Sequence, residues 1–80
     1  MTPQELLDVA TPAQRLILEA IKLHPHESNE FIAEKLGLSS RTVGKQLELY
    51  YKRIPALIPI NSRVRRQVLT DWLRGYGQDQ

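Results

Sequence analysis

The sequence has no cysteine and few aromatic residues. Its 80 residues include one Trp, one Phe, three Tyr and no Cys. A chain without cysteine forms no disulfide, no thiolate nucleophile and no cysteine-ligated metal site. No apolar run approaches the roughly 20 residues of a membrane-spanning helix, and residues 1–10 lack the basic and apolar segments of a signal peptide. We therefore expect a single cytoplasmic domain over residues 1–80.

The sequence also lacks the residue sets that catalysis or metal binding requires. His24, His26 and Glu27 lie close together, but the chain has no other His and no Cys. A metal site normally needs a third or fourth ligand held in fixed geometry, so we favour a solvated loop. No nucleophile with a neighbouring base, phosphate-binding glycine loop or carboxylate pair in a pocket can be assembled. We expect a protein that is not an enzyme and uses no cofactor.

Positive charge is concentrated in one part of the chain. The formal net charge is +2, yet residues 1–40 contain three basic and six acidic side chains, a net charge of −3. Residues 41–66 contain seven basic side chains and one acidic side chain, a net charge of +6. Such asymmetry is typical of a protein that binds a polyanion. The alternative is a solvated basic face on an ordinary domain.

Capping signals predict two helices in the first third of the chain. Thr2 and Thr11 each precede a proline and are followed three residues later by Glu or Gln. This is the pattern of a helix N-terminus. It predicts a short helix over residues 3–9 and a longer helix over residues 12–23. The residues expected on the buried face of the longer helix are Ile17, Leu18 and Ile21.

Residues 28–53 have the spacing of two helices joined by a tight turn. Gly37 can adopt the left-handed conformation that ends the first helix, after which Leu38 is expected to return to the core. Ser39 is expected to cap the second helix, which covers about residues 40–52. The apolar residues at helical spacing are Ile32, Ala33 and Leu36, then Val43, Leu47 and Tyr50 or Tyr51. This pattern indicates a helix-turn-helix, whose second helix usually enters the DNA major groove.

Two prolines interrupt the chain after the helix-turn-helix. Pro55 and Pro59 exclude a regular helix over residues 54–60, which are too apolar to lie in water and are expected to form an extended link across the core. A last helix is expected over residues 62–74, and residues 76–80 are expected to fray. Together these elements predict an all-α fold, a helix-turn-helix bundle of four to five helices.

The central motif is similar to that of a known family. The residues that carry the similarity are Ser28, Asn29, Ile32, Ala33, Leu36, Gly37, Leu38, Ser39, Arg41, Thr42, Val43, Lys52, Asn61, Ser62 and Arg63. They resemble the LuxR/GerE-type DNA-binding domain over about Thr11 to Leu73. The resemblance implies a DNA-binding regulator with Lys45 on the groove side of the recognition helix. It also implies a dimer contact through Val68 and Trp72, for which core packing is the alternative.

The candidate DNA-binding residues form two groups. Arg41 and Lys45 lie one helical turn apart and can face the same groove, while Arg41 and Gln46 are chemically able to contact guanine and adenine. Glu48 is expected to pair with Lys52. The groove-side candidates are Ser40, Arg41, Thr42, Lys45 and Gln46. The candidates for DNA-backbone contacts, which fix position without reading sequence, are Lys52, Arg53, Arg63, Arg65 and Arg66.

We expect a sequence-specific transcription regulator that binds double-stranded DNA as a dimer and stands alone, without a receiver or ligand-binding domain. The alternative is a protein-interaction module that docks on a sigma factor, RNA polymerase or another regulator. In that case Phe31, Gly44, Glu48 and residues 54–60 form the contact. Salt dependence separates the two, because DNA binding weakens steeply as salt rises and an apolar protein contact does not.

Overall fold

The computed structural model describes residues 3–75, and this part of the chain contains helices and no strand. Its five α-helices are α1 (Pro3–Asp8), α2 (Pro12–Leu23), α3 (Asn29–Leu36), α4 (Ser40–Tyr51) and α5 (Ser62–Leu73). One turn of 3-10 helix covers Pro55–Leu57. The all-α class and the number of helices are thereby confirmed. The capping signal at Thr2 and the terminal residues 76–80 lie outside the described residues.

Side-chain caps mark the start of α2, α3, α4 and α5. The Oγ1 atom of Thr11 accepts a hydrogen bond of 3.2 Å from the amide of Gln14, and Oε1 of Gln14 accepts one of 3.1 Å from the amide of Thr11. This capping box satisfies two donors that the first turn leaves unpaired. The hydroxyl groups of Ser28 and Ser39 cap α3 and α4, and the side-chain carbonyl of Asn61 caps α5.

The core lies between α2 and the helices around it. α2 contacts α3, α4 and α5, and α1 contacts α5. Ile17, Leu18 and Ile21 of α2 are fully buried, as the helical spacing predicts. The buried apolar residues from the other elements are Leu6, Ala10, Ile32, Ala33, Val43, Leu47, Tyr50, Ile54, Leu57, Leu69 and Leu73. Burying one stripe of each helix leaves the outer face of α4 in solvent.

The turn between α3 and α4 is closed by backbone hydrogen bonds. Gly37 has φ +72°, the left-handed conformation that a side chain would disfavour. The amide of Leu38 donates to the carbonyl of Ala33 at 2.8 Å, and the amide of Gly37 donates to the carbonyl of Glu34 at 3.3 Å. This is the Schellman arrangement. The expectation that Leu38 returns to the core is wrong, since its side chain is 41 % exposed and the backbone bonds close the turn without it.

Residues 54–60 depart from the predicted extended link. Pro55 starts a 3-10 turn, because its fixed φ suits the first position of a helical turn, and the turn buries Ile54 and Leu57. Arg65 stabilises this turn from α5: its Nε donates to the carbonyl of Leu57 at 3.0 Å. Its Nη2 donates to the carbonyls of Ile58 and Ile60 at 3.0 and 2.9 Å. The prolines do exclude an α-helix here, but the extended conformation is wrong.

One face of α5 completes the core. Leu69 and Leu73 are buried and belong to the core. Val68 and Trp72, the residues that the family resemblance assigns to a dimer contact, are half-buried and pack against the same core. Each therefore combines a core contact with a remaining exposed surface.

Candidate nucleic-acid interface

The outer face of α4 carries a stripe of charged residues. Successive helical residues are rotated by about 100° around the axis, so Arg41, Lys45, Glu48 and Lys52 fall within a sector of about 60°. All four side chains are exposed. The stripe lies opposite the residues that α4 buries, which are Val43, Leu47 and Tyr50. We call these four residues the α4 stripe.

The three cations of the α4 stripe have no partner in the part of the chain that the structure describes. Within residues 3–75, the side chains of Arg41, Lys45 and Lys52 form no hydrogen bond or ion pair. The expected pair between Glu48 and Lys52 is also not formed within this range. A solvated ion pair one turn apart contributes only about 0.3–0.5 kcal/mol, too little to hold two long side chains together. The stripe therefore presents three unpaired positive charges and one unpaired carboxylate.

The remaining groove-side candidates differ in how available their side chains are. The Oγ atom of Ser39 accepts from the amide of Thr42 at 3.1 Å and lies 2.9 Å from the Thr42 hydroxyl oxygen. This confirms capping as the role of Ser39 and engages the hydroxyl of Thr42 locally. Ser40 is exposed. Gln46 is half-buried and is rotated by about 100° from Lys45, away from the stripe.

The candidates for DNA-backbone contacts also differ: some are exposed, and others form hydrogen bonds within the protein. Arg53, which follows α4, and Arg63, in the first turn of α5, are exposed. Neither side chain has a partner within the described part of the chain. Both remain available to a polyanion. Arg65 is instead engaged with the three carbonyls of the proline-containing link.

Arg66 is likewise turned inward. Its Nη1 donates to Oδ1 of Asn29 at 2.6 Å, and its Nη2 donates to the carbonyl of Glu27 at 3.1 Å. These bonds tie α5 to the start of α3. Sequence reasoning missed these contacts because Asn29 is 37 positions away and an arginine in a basic segment gives no sign of an internal partner. The guanidinium groups of Arg65 and Arg66 are thus structural elements of the bundle.

A cleft adjoins the α4 stripe, where α3 and α5 begin. Its volume is about 270 Å³. Gly44 leaves it open, because a Cβ atom built at this position would meet only Nδ2 of Asn29, at 3.9 Å. The polar residues that line it are Asn29, Glu48, Tyr51, Ser62, Arg65 and Arg66. We call it the α3–α5 cleft.

Two charged or ionisable groups of this cleft are partly desolvated. Burial lowers the pKa of the Arg66 guanidinium, and the hydroxyl of Tyr51 partly opposes that shift. Burial also raises the pKa of Tyr51, with Arg66 and then Arg65 acting in the opposite direction. The Arg65 guanidinium carbon lies 5.3 Å from the centroid of the Tyr51 ring, a cation–π contact. The cleft is therefore a partly water-excluded, positively charged environment.

Exposed apolar side chains also lie on α4, on the link and on α5. Leu49 on α4, Ile58 in the link and Val64 on α5 are 43 %, 53 % and 48 % exposed. Ile58 lines a second cleft with Tyr51 and Lys52. Apolar surface beside cations suits a protein partner as well as DNA.

Of the two histidines, His24 packs against α3, whereas His26 is exposed. The His24 ring meets the edge of the Phe31 ring at a centroid distance of 5.1 Å, and Nζ of Lys35 lies 5.3 Å from the Phe31 centroid. The Phe31 side chain is half-buried. Across residues 3–75, no three His, Cys, Asp or Glu side chains are grouped so that they could hold a metal ion.

No family model, curated protein or solved structure matches the chain. The resemblance to LuxR/GerE-type domains therefore stays a prediction based on the motif residues. None of the helices within residues 3–75 has both the length and the apolar character needed to cross a bilayer.

Proposed function

We propose that the protein binds double-stranded DNA and regulates transcription, with α4 as the recognition helix. The observation that carries this proposal is the α4 stripe, in which Arg41, Lys45 and Lys52 share one exposed face and have no partner within residues 3–75. Unpaired cations on one face attract a polyanion, and neutralising phosphates releases the counterions condensed on DNA. The regular spacing of the stripe favours a helical binding surface over a diffuse basic face.

The dimensions of α4 fit this use. Its 12 residues extend for about 18 Å, and the DNA major groove is about 12 Å wide and admits one α-helix. In that groove Arg41 can donate two hydrogen bonds to guanine, and Lys45 lies one turn further along the same face. Arg53 and Arg63, at the two ends of the link, suit phosphate contacts that fix the position of the helix.

The experiment that tests this proposal removes two positive charges of the α4 stripe. The Arg41→Ala/Lys45→Ala variant should bind a duplex at least about tenfold more weakly at low salt, and the slope of log affinity against log salt should fall by about 2. Fluorescence anisotropy on a labelled duplex measures both quantities. The control is Lys22→Ala/Lys35→Ala, which removes the same charge from exposed positions on α2 and α3. An equal loss in the control, or no loss in the stripe variant, would contradict the proposal.

We further propose that two copies associate through α5, which would place two recognition helices on adjacent half-sites. The half-buried side chains of Val68 and Trp72 support this, since each keeps exposed apolar surface. Sedimentation velocity at rising protein concentration should show a dimer that Trp72→Ala weakens. A wild-type protein that stays monomeric throughout would exclude the dimer.

A protein-interaction module is the second candidate, favoured by the exposed side chains of Leu49, Ile58 and Val64. In this function the surface docks on a sigma factor, RNA polymerase or another regulator. Apolar contacts persist when salt is raised, whereas DNA contacts weaken steeply. A partner whose affinity is insensitive to salt and is reduced by Ile58→Ser would favour this candidate.

A further inference from the structure

Arg66 is a partly buried cation without a counter-ion in the described part of the chain. Its two terminal nitrogens donate to neutral oxygens, the side-chain carbonyl of Asn29 and the backbone carbonyl of Glu27. Its Nε is buried and has no hydrogen-bond partner there. A buried donor without a partner, on a group that carries charge, costs free energy. Such a group in a folded protein is commonly explained by a bound water or ion.

The Arg66 side chain lines the α3–α5 cleft. Gly44 contributes no side chain, so the volume of about 270 Å³ stays accessible in front of Asn29. Tyr51 and Ser62 add hydroxyl groups to the wall. Asn29 and Ser62 are the first helical residues of α3 and α5, so the positive ends of two helices meet at the cleft. Donors and positive potential thus surround one small volume.

We propose that the α3–α5 cleft binds the phosphate group of a ligand, with the Arg66 guanidinium, Asn29 Nδ2 and the Ser62 hydroxyl as donors. A tetrahedral oxyanion accepts several hydrogen bonds at once and supplies the charge that Arg66 lacks. Two sources carry this chemistry, a backbone phosphate of DNA and a free or small-molecule phosphate. For the DNA source the inference rests on the proposed function, and it then makes the cleft an anchor beside the recognition helix.

The negative charge of Glu48 disfavours the binding of a phosphate group in the cleft. Its carboxylate lines the cleft, is exposed, and forms no ion pair with Arg66. It repels an incoming oxyanion through partly screened electrostatics. Glu48→Gln keeps the shape of the side chain and removes the charge, so phosphate should bind about threefold to tenfold more tightly to this variant. Glu34→Gln, an exposed carboxylate on α3 that does not line the cleft, is the matched control.

Asn29→Asp supplies the missing charge from inside the protein. A carboxylate at this position lies beside Arg66 and at the N-terminus of α3, both favourable for a negative charge. This variant should therefore fold at least as stably as the wild type. Because Arg66 then has an internal counter-ion, affinity for phosphate should fall by at least about tenfold.

The experiment is an NMR titration that follows the Arg66 Nε–Hε signal and the Asn29 side-chain amide. Inorganic phosphate is titrated against chloride at constant ionic strength and slightly acidic pH. Three results together support the cleft: a saturable shift at both signals in the wild type, loss of the Arg66 Nε–Hε shift in Asn29→Asp, and saturation of that shift at lower phosphate concentration in Glu48→Gln but not in Glu34→Gln. A shift that survives unchanged in Asn29→Asp would place the ion elsewhere and overturn the proposal.

A second titration with a duplex separates the two sources. If the duplex shifts Arg66 Nε at concentrations far below those of inorganic phosphate, the DNA backbone is the source. If inorganic phosphate shifts the Arg66 signal and the duplex shifts no signal, the phosphate site in the cleft is supported and the DNA-binding proposal is contradicted. If the duplex shifts only the α4 stripe and neither probe reaches Arg66, DNA binding stands and the cleft proposal is overturned.

Discussion

The hydroxyl group of Tyr50 donates a hydrogen bond of 2.7 Å to the backbone carbonyl of Leu6. Both residues are fully buried, and they lie 44 positions apart. The bond joins the helix proposed to enter DNA to the short N-terminal helix, within the core. A buried polar group that is paired in this way makes the bundle depend on α1 as well as on the helix-turn-helix.

Removing this hydroxyl should destabilise the protein. Tyr50→Phe keeps the ring but leaves the Leu6 carbonyl buried without this donor, so the free energy of unfolding should fall by about 1–3 kcal/mol. Urea denaturation measures the change. Tyr51→Phe removes a hydroxyl that forms no hydrogen bond within residues 3–75, so it should change stability far less. Equal effects in the two variants would show that the hydrogen bond is not the cause.

Stability should decrease in alkaline solution. Burial, and secondarily the neighbouring Tyr51, raise the pKa of Tyr50 far above its ordinary value of 10.0. Above about pH 10 the unfolded chain loses this proton while the folded chain keeps it, so unfolding becomes easier by up to about 1.4 kcal/mol per pH unit. The contribution is fully present below pH 10 and is lost as pH rises. Urea titrations at several alkaline pH values should give a shallower decline for Tyr50→Phe, and an identical decline would contradict the assignment.

The hydrogen bonds of Arg65 to the link predict a difference between arginine and lysine. Lysine keeps the charge but cannot place donors on three carbonyls as the planar guanidinium does, so Arg65→Lys should lower the free energy of unfolding by about 1–3 kcal/mol. Arg63→Lys, at an exposed position two residues earlier, should be nearly neutral. The midpoints of urea denaturation compare the stability of the two variants with that of the wild type. If the Arg65→Lys midpoint equals that of wild type, the guanidinium is not what holds the 3-10 turn.

Two glycines in the helix-turn-helix should respond in opposite directions. Gly44 is helical and a Cβ there meets only one atom, at 3.9 Å, so Gly44→Ala should raise the free energy of unfolding by about 1 kcal/mol. Gly37 has φ +72°, so Gly37→Ala should lower it by about 1–2 kcal/mol. Thermal or urea unfolding of both variants is the measurement. A destabilising Gly44→Ala would contradict the open space that the structure shows beside Gly44.

Helix positions were predictable because their determinants are local. The Thr11 cap, the Ser39 cap and the left-handed Gly37 each act over a few residues, and each is visible in the sequence. The link over residues 54–60 was not predictable in the same way. Its turn is stabilised by Arg65, which lies eight positions beyond Leu57. No local sequence pattern predicts that contact.

The same difference between local and tertiary determinants applies to the candidate site. Helical spacing alone places Arg41, Lys45 and Lys52 on one face, since rotation along a helix depends only on sequence separation. The inward orientation of Arg66 depends on Asn29, which only the tertiary fold brings near. Residue type and charge therefore indicate where a polyanion could bind, but the fold decides which arginines are exposed and which form contacts within the protein.

The most direct test of DNA binding through α4 is an amide NMR titration of labelled protein with a duplex, first at low and then at high salt. We predict shifts over residues 39–48 and at Lys52, Arg53 and Arg63 that collapse as salt rises, because these positions carry the unpaired charge. Unchanged amide signals along α4 at low salt would contradict this account, and would leave the exposed side chains of Leu49, Ile58 and Val64 as the surface to test for a protein partner.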